Sequence, residues 1–329
     1  MRKTFQGKYK IVKPARLELG DTIGLIAPSG PIWRKKKMIR SIPEHLEKGL
    51  VYLDKMGFKY NLGKHFLKRR GYLAGHEKER LEDLHNMFQN KKVKAIFCLA
   101  GGYGTPRLLP EIDFDVILKN PKIFEGYSDI TSLLTAFHQV TGLVTFHGPM
   151  ANYDFGRKIQ FNKENLWRAV TQTEPIGEIP HPPDGPDLVT LCPGYASGKI
   201  IGGNLSLLIS TLGTPHEIDT TGSILFLEDV EEEPYRFDRM LNHLLLAGKL
   251  QSANGIIIGE CIKCNPKPPD KPSLSLMDVL QDFIPPLKKP AFYGLCCGHG
   301  KKKVTLPLGV NATMDATHCR LYIEENAVV

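Results

Sequence analysis

The chain has 329 residues, 42% hydrophobic and 24% charged, a composition that excludes a disordered polymer and leaves room for two domains of ordinary size. An excess of 43 Lys+Arg over 35 Asp+Glu gives a net charge of +8, which can attract nucleic acid, membrane or anionic substrates. Much of that excess sits in the short runs RKKK (34–37), KRR (68–70) and KKK (301–303), expected as solvated surface; no aromatic residues interleave with them, so a nucleic-acid partner is not expected.

The opening MRKTFQGKYKIVKPARLELG is basic but has no apolar centre, and is not read as a secretory signal. Nor does any apolar run reach membrane-spanning length, so no membrane partner is expected. Seven cysteines form an odd count that a chain of this size does not need for disulfides, and a reducing cytoplasm is the expected compartment.

In chain order, DTIGLIAPS (21–29) reads as a buried strand ending in a Pro-Ser-Gly-Pro loop. A helix is predicted over 43–56, a short strand near 58–62, and an amphipathic helix with i,i+4 charge pairs over 76–90. A strand at 93–99, a short helix from Pro106, a strand at 122–126, a helix at 130–140 and a strand-like LVTFHGPM (143–150) follow. Strands alternating with helices predict a mostly parallel sheet covered on both faces.

The character then changes. Residues 174–195 are rich in Pro and Gly and read as a linker or irregular crossover. Beyond them lie β-like runs, ASGKIIGGN, SILFLED, GIIIGE, VTLPLG and CRLYIEE, with helices predicted at 235–250 and 274–284. The expected organisation is an N-terminal α/β domain (1–165), a linker (166–195) and a β-rich α/β C-terminal domain (196–329).

Ligands of open parallel sheets collect where strands end and helix N-termini offer free amides. Two predicted strand ends qualify, GGYG (101–104) and GYSD (126–129). GGYG lacks the third glycine of a dinucleotide loop, and Pro106 and Pro110 shorten the helix after it. Ser128 has two readings. It is an N-cap for the following helix, or it is a nucleophile on a strand-to-helix elbow, although the glycine two places after the serine is missing.

A nucleophilic serine needs a base and the base an orienting acceptor. His138 falls inside a predicted helix, His147 in a strand-like run, and His299 between glycines in a loop. Glu228 and Asp229 close an apolar strand, and alternation does not choose between them because that strand reads as buried on both faces. Cys261 and Cys264 form a CxxC with no second pair at zinc spacing, and Cys296-Cys297 read as packed thiols, so neither metal nor cofactor is expected.

Taken together, LAGGYGTPRLLPEIDFD, NPKIFEGYSDITSLL, TGLVTFHGPM, GGNLSLL, LFLEDVEEEPYRFDRML and GHGKKKVTLPLG resemble the LD-carboxypeptidase family of serine peptidases, which includes the microcin-immunity peptidases. The resemblance runs from about residue 18 to the C-terminus. It implies a Rossmann-like N-terminal domain, a β-rich C-terminal domain and a triad across the cleft between them: Ser128 as nucleophile, His299 as base, Glu228 as orienting acid. It further implies an oxyanion hole from the backbone N–H groups of Gly102 and Asp129, a murein peptide as substrate in cytoplasmic recycling, release of D-alanine after an L-diamino acid, and a homodimer.

Arg236 and Arg239, three apart on the predicted helix after Glu228, are candidates for holding the substrate carboxylate or for structural pairing. The KKK and EEE (231–233) runs fall at the rim of the inferred cleft. Two other readings are a microcin-immunity-type amidase acting on acyl-nucleotide or other peptide amides, and a non-catalytic two-domain binding protein.

Overall fold

The computed structural model describes residues 10–32, 42–267 and 272–329, and the RKKK run at 34–37 lies outside them. Strand β1 (Thr22–Ile26) is buried along nearly its whole length, as an apolar run in a sheet covered on both faces must be. Helix α1 (Glu44–Lys55) buries Leu46, Leu50 and Leu53, a stripe at helical spacing, and leads to the more exposed strand β2 (Lys59–Leu62). Helix α2 (Glu77–Gln89) and strand β3 (Val93–Cys98) follow. The expected helix from Pro106 is instead a single 3-10 turn, Leu109–Glu111; the true helix, α3 (Phe114–Lys119), starts where the Asp113 carboxylate accepts the Asp115 and Val116 amides.

Strand β4 (Ile123–Gly126), helix α4 (Thr131–Thr141) and strand β5 (Thr145–His147) complete the parallel part of the first sheet. Its order is β5-β4-β3-β1-β2.

Helix α5 (Gln160–Thr171) leads out of this half. Within the stretch read as linker, β6 (Gly177–Glu178) and β7 (Val189–Cys192) supply the two edges of the second sheet. Its centre comes from β8 (Tyr195–Asn204), helix α6 (Leu205–Thr211), β9 (Ile224–Glu228), helices α7 (Pro234–Leu246) and α8 (Lys249–Ser252), β10 (Gly255–Glu260), helix α9 (Leu276–Phe283) and β11 (Ala291–Gly298). Strands β8 to β11 pair in parallel.

Strand β12 (Leu306–Leu308) leaves that sheet and pairs antiparallel with β5, so it closes the far edge of the first sheet. Strands β13 (Asn311–Asp315) and β14 (Arg320–Ile323) then return to the second sheet, ordered β6-β14-β13-β8-β9-β10-β11-β7. The architecture is two-domain α/β, with a mostly parallel N-terminal sheet and a mixed C-terminal one.

Alternation along β9 divides the apolar interior. Ile224 and Phe226 join the large core shared with the first sheet, while Leu225 and Leu227 face a second core under α6, α7 and α9. The strand is buried on both faces, but the faces differ in what they meet.

Candidate active site

Strands β3 and β4 are neighbours, and the loops leaving their carboxyl ends meet. Ser128 follows β4 after Tyr127 and holds φ at +63°. Only a residue bound into a fixed turn keeps that left-handed backbone without being glycine, and such strain collects at functional sites. The N-cap expectation for Ser128 is overturned. A cap takes extended backbone and accepts a first-turn amide, but here Ser128 opens a 3-10 turn, α4 begins at Thr131, and neither start has a side-chain cap bond. The hydroxyl is not consumed by the helix.

Gly101 explains the shape of the loop opposite. A Cβ at that position would lie 3.0 Å from the Ser128 Cβ, 3.1 Å from its Oγ and 3.6 Å from the Asp129 amide nitrogen. The Gly101 backbone therefore lies directly against the serine and the first amide after it, while Gly102 lies against Gly30.

Sequence reasoning singled out Asp129 for its N–H alone; its side chain does more. Fully buried, the carboxylate accepts Ser29 Oγ at 2.6 Å and the amides of Thr105 and Gly104 at 2.9 and 3.2 Å. The Thr105 hydroxyl also donates to the Asp129 carbonyl. One side chain thus ties three loops into a single rim. Arg80 does similar work from α2, donating to the carbonyls of Pro28 (2.7 Å) and Gly104 (3.0 Å). Its signal in the sequence is a charge on the Leu84-Met87 stripe, where a solvated arginine would not stand.

On the other half, Glu228 ends β9 fully buried, and its Oε2 lies 2.8 Å from His299 Nδ1. Alternation puts Glu228 on the Phe226 side, facing the first domain. Gly298 makes room: at φ +112°, a Cβ there would stand 2.5 Å from Glu228 Oε2. Asp229 points the other way. It accepts Asn204 Nδ2 (3.0 Å) and the amide (2.9 Å) and hydroxyl (2.8 Å) of Ser206, and burial together with the Glu228 charge pushes its carboxyl up to about 6.

Burial pulls the His299 imidazole toward the neutral form, but the charge and hydrogen bond of Glu228, backed by Asp229, prevail and raise it above its ordinary value. A carboxylate only accepts, so Nδ1 carries the hydrogen and Nε2 is left to take a proton. Tyr127, adjacent to Ser128, packs edge-on against the His299 ring with centroids 5.0 Å apart. This contact joins the serine's turn to the histidine's loop. The arrangement suits proton removal by a buried, oriented imidazole whose ring neighbour, Tyr127, adjoins a serine of positive φ.

The remaining candidates make no described contact with Ser128, although His147 packs close by, against Tyr127. His138 Nδ1 bonds the Leu143 carbonyl at 3.1 Å, and burial pushes its imidazole down to about 4. His147, likewise pushed to about 4 by burial, lies between Tyr127 and Phe226. Arg236 and Arg239 are exposed on α7: Arg236 Nε donates to Tyr235 Oη at 3.0 Å, and the Arg239 guanidinium lies 5.5 Å over the Tyr235 ring. Their described contacts do not include Ser128, Glu228 or His299.

The solvated reading of the KKK run fails at its last residue. Lys303 is 1% exposed and its ammonium stands 2.6 Å from Asp154 Oδ1, whereas Lys302 pairs at the surface with Asp184. In the EEE run, Glu231 pairs with Lys263, Glu232 lies 3.8 Å from Arg236, and Glu233 precedes α7. The cysteines are free thiols, Cys261, Cys264, Cys296 and Cys297 all buried. Among the described residues no group of three or more His, Cys, Asp or Glu is arranged to hold a metal, and no helix is long and apolar enough to cross a membrane.

Comparison with known proteins adds to this geometry. Residues 23–148 match the LD-carboxypeptidase N-terminal domain, and residues 197–314 the LD-carboxypeptidase C-terminal domain. A probable murein peptide carboxypeptidase of Bacillus subtilis is 44% identical, over 98% of this chain and 97% of its own. Among solved structures, a muramoyltetrapeptide carboxypeptidase from Oxalobacter formigenes superposes with a TM-score of 0.77 at 30% identity, covering 92% of this chain and 97% of the other. The microcin C7 self-immunity protein MccF, in complex with glutamyl sulfamoyl guanosine, gives 0.86 at 27% identity, covering 96% and 99%.

Proposed function

Given that the chain belongs to the LD-carboxypeptidase family and is therefore a peptidase, we propose that it is a serine-type carboxypeptidase that hydrolyses the L-diamino acid–D-alanine bond of murein tetrapeptides. The observation that carries the serine assignment is the buried Glu228–His299 pair joined through Tyr127 to a serine of positive φ. In this reading His299 Nε2 takes the Ser128 proton, and the alkoxide attacks the scissile carbonyl carbon. The backbone N–H groups of Gly102 and Asp129 receive the oxyanion, aided by the glycine-rich approach of the 101–102 backbone. Collapse breaks the C–N bond, and the proton held by His299 passes to the departing amine of D-alanine. The ester left on Ser128 is hydrolysed by a water that His299 deprotonates in turn.

Glu228 keeps the imidazole in the productive tautomer throughout. Arg236 and Arg239, exposed cations on the helix that follows the acid, are proposed to meet the free carboxylate of the leaving residue, which steers the enzyme to chain ends. We place the nucleophile in residues 1–165 and the acid and base in 196–329, with murein recycling in the cytoplasm as the setting and a homodimer as the working assembly.

The microcin-immunity reading has one observation in its favour, the higher TM-score to MccF. Overall superposition reports a scaffold common to both branches, whereas identity over nearly the full length is 44% to the probable murein peptide carboxypeptidase and 27% to MccF. Sequence identity therefore carries more weight. The test is incubation of the purified protein with murein tetrapeptide, with its all-L diastereomer, and with an aspartyl or glutamyl sulfamoyl nucleoside. Release of free D-alanine from the first alone is the expected result. Turnover of the nucleoside conjugate alone would move the assignment to the amidase branch, and turnover of none to a binding protein.

A further inference from the structure

Strand β11 ends in the second sheet at Gly298 and β12 begins in the first at Leu306, so residues 299–305 carry the chain from one half to the other. His299 opens this crossing and Lys303 sits in its middle. The Lys303 ammonium meets Asp154 Oδ1 at 2.6 Å with both side chains almost wholly removed from solvent, and it lies 4.7 Å over the face of the Tyr127 ring. Asp154 is itself anchored, accepting the Met150 amide at 2.9 Å. The Lys303 amide donates to Asn162 Oδ1 (2.9 Å), and Asn162 Nδ2 returns a bond to the Lys301 carbonyl (3.2 Å). The same tyrosine ring that receives the cation on its face presses edge-on against His299.

We propose that Lys303 is a positioning residue for the base: its buried ion pair with Asp154 and its seat over Tyr127 latch the His299 loop to the nucleophile's half of the molecule. A lysine loses much hydration on burial, and a buried ion pair is often no more stabilising than apolar side chains of the same volume. Two neighbouring lysines remain in contact with solvent, so the withdrawal of the third is not a demand of composition. What the pair supplies is direction. A fixed anion on one half and a fixed cation on the loop define one register between them, and the cation holds the ring face it covers. Because attack depends on Nε2 lying within hydrogen-bond reach of the serine, a loop free to shift by an ångström loses turnover steeply.

The charges around this point are Asp154, Glu125 and Arg157 from the first half, Glu228, Asp229 and Glu260 from the second, with His147 beside Tyr127. Lys303 opposes protonation of His299. Its removal alone therefore moves the His299 titration to higher pH, whereas removal of Lys303 and Asp154 together largely cancels that change. Position and charge separate on this basis.

The proposal rests on the serine-peptidase reading, and the experiment reads it in two ways. Lys303→Met, Asp154→Asn and the double variant Lys303→Met/Asp154→Leu are compared with wild type for kcat and KM on murein tetrapeptide. The His299 titration is followed by NMR of ring-labelled protein. Expected are kcat values lower by roughly ten- to a hundredfold in all three with KM little changed, an upward His299 titration in Lys303→Met, and a near-wild-type titration with kcat still low in the double variant. Wild-type kcat in the double variant, which keeps the site filled and uncharged should either single variant fail to fold, would overturn the latch. If wild-type protein does not turn over the tetrapeptide, the functional reading fails by itself. The latch is then judged on Lys303→Met alone, by the titration and by whether Tyr127–His299 ring contacts in the NMR spectrum are lost, and unchanged contacts sink it.

Discussion

The Ser128 turn is assembled within one half of the molecule: Asp129 reaches amides 24 and 25 residues away and the Ser29 hydroxyl 100 away, and Gly101 and Ser128 follow adjacent parallel strands. The His299 loop has some support close at hand, the Val304 amide donating to the Cys296 carbonyl at 2.8 Å, but its charged anchors are distant. Its side-chain partners stand 71 residues away at Glu228, 141 at Asn162 and 149 at Asp154, and they come from both halves of the molecule. The nucleophile turn is a property of the first half alone, built from the loops that follow β1, β3 and β4. The base is a property of the assembled molecule, and its placement follows whatever holds the two halves in register.

Substitutions sharpen that comparison, the largest effect first. Ser128→Ala is expected to cut kcat by several powers of ten with an unchanged melting temperature, since no cap bond is lost; His299→Ala should do the same, and the double variant should be little worse than either. Additive losses, or near-wild-type turnover in Ser128→Ala, would remove the serine from the chemistry.

Glu228→Gln comes next, with a loss of roughly a hundredfold or more, because an amide can donate to Nδ1 and so stabilise the wrong tautomer. It also removes the charge that raises His299, so the acidic limb of the kcat/KM profile should move to lower pH. The stability that the pair lends to the fold has the sign of a raised histidine. It is complete below about pH 6.5, the ordinary histidine value, and is lost as pH rises through the higher folded value. Chemical denaturation of wild type and Glu228→Gln at pH 5 and pH 9 measures it, and a gap that widened with pH would contradict the assignment.

Asp129→Ala probes the local side of the comparison. It orphans the Gly104 and Thr105 amides, and should cost about 1–3 kcal/mol by denaturant titration with a clear fall in kcat. Unaltered stability would mean that the 101–105 loop does not depend on this strut. The smallest change is expected from Arg236→Ala and Arg239→Ala, a KM rise of about two- to fivefold apiece, the scale of an exposed ion pair. An unmoved KM in the double variant would leave the pair as surface partners of Tyr235 and Glu232.

The sequence by itself determined the local elements. Periodicity located β1, α1, α2, β3, β4, α4 and α7 to within a few residues, because helix and strand patterns repeat inside windows of a dozen residues. It also set Ser128 at a strand-to-helix junction, and a likeness of motifs singled out Glu228 and His299. Only the tertiary structure decided the rest. Glu228 was separated from Asp229 by which core each face of β9 meets, and composition cannot report that when both faces are buried. The left-handed backbone of Ser128, with Gly101 packed against it, is announced by no serine propensity. Lys303 reads as the end of a solvated run until Asp154, far along the chain, is folded against it. Strand β12 reads as another short strand of the second domain until β5 offers the first sheet's open edge. Each of these depends on a partner distant in sequence, and a contact of that kind exists only once the chain has closed on itself.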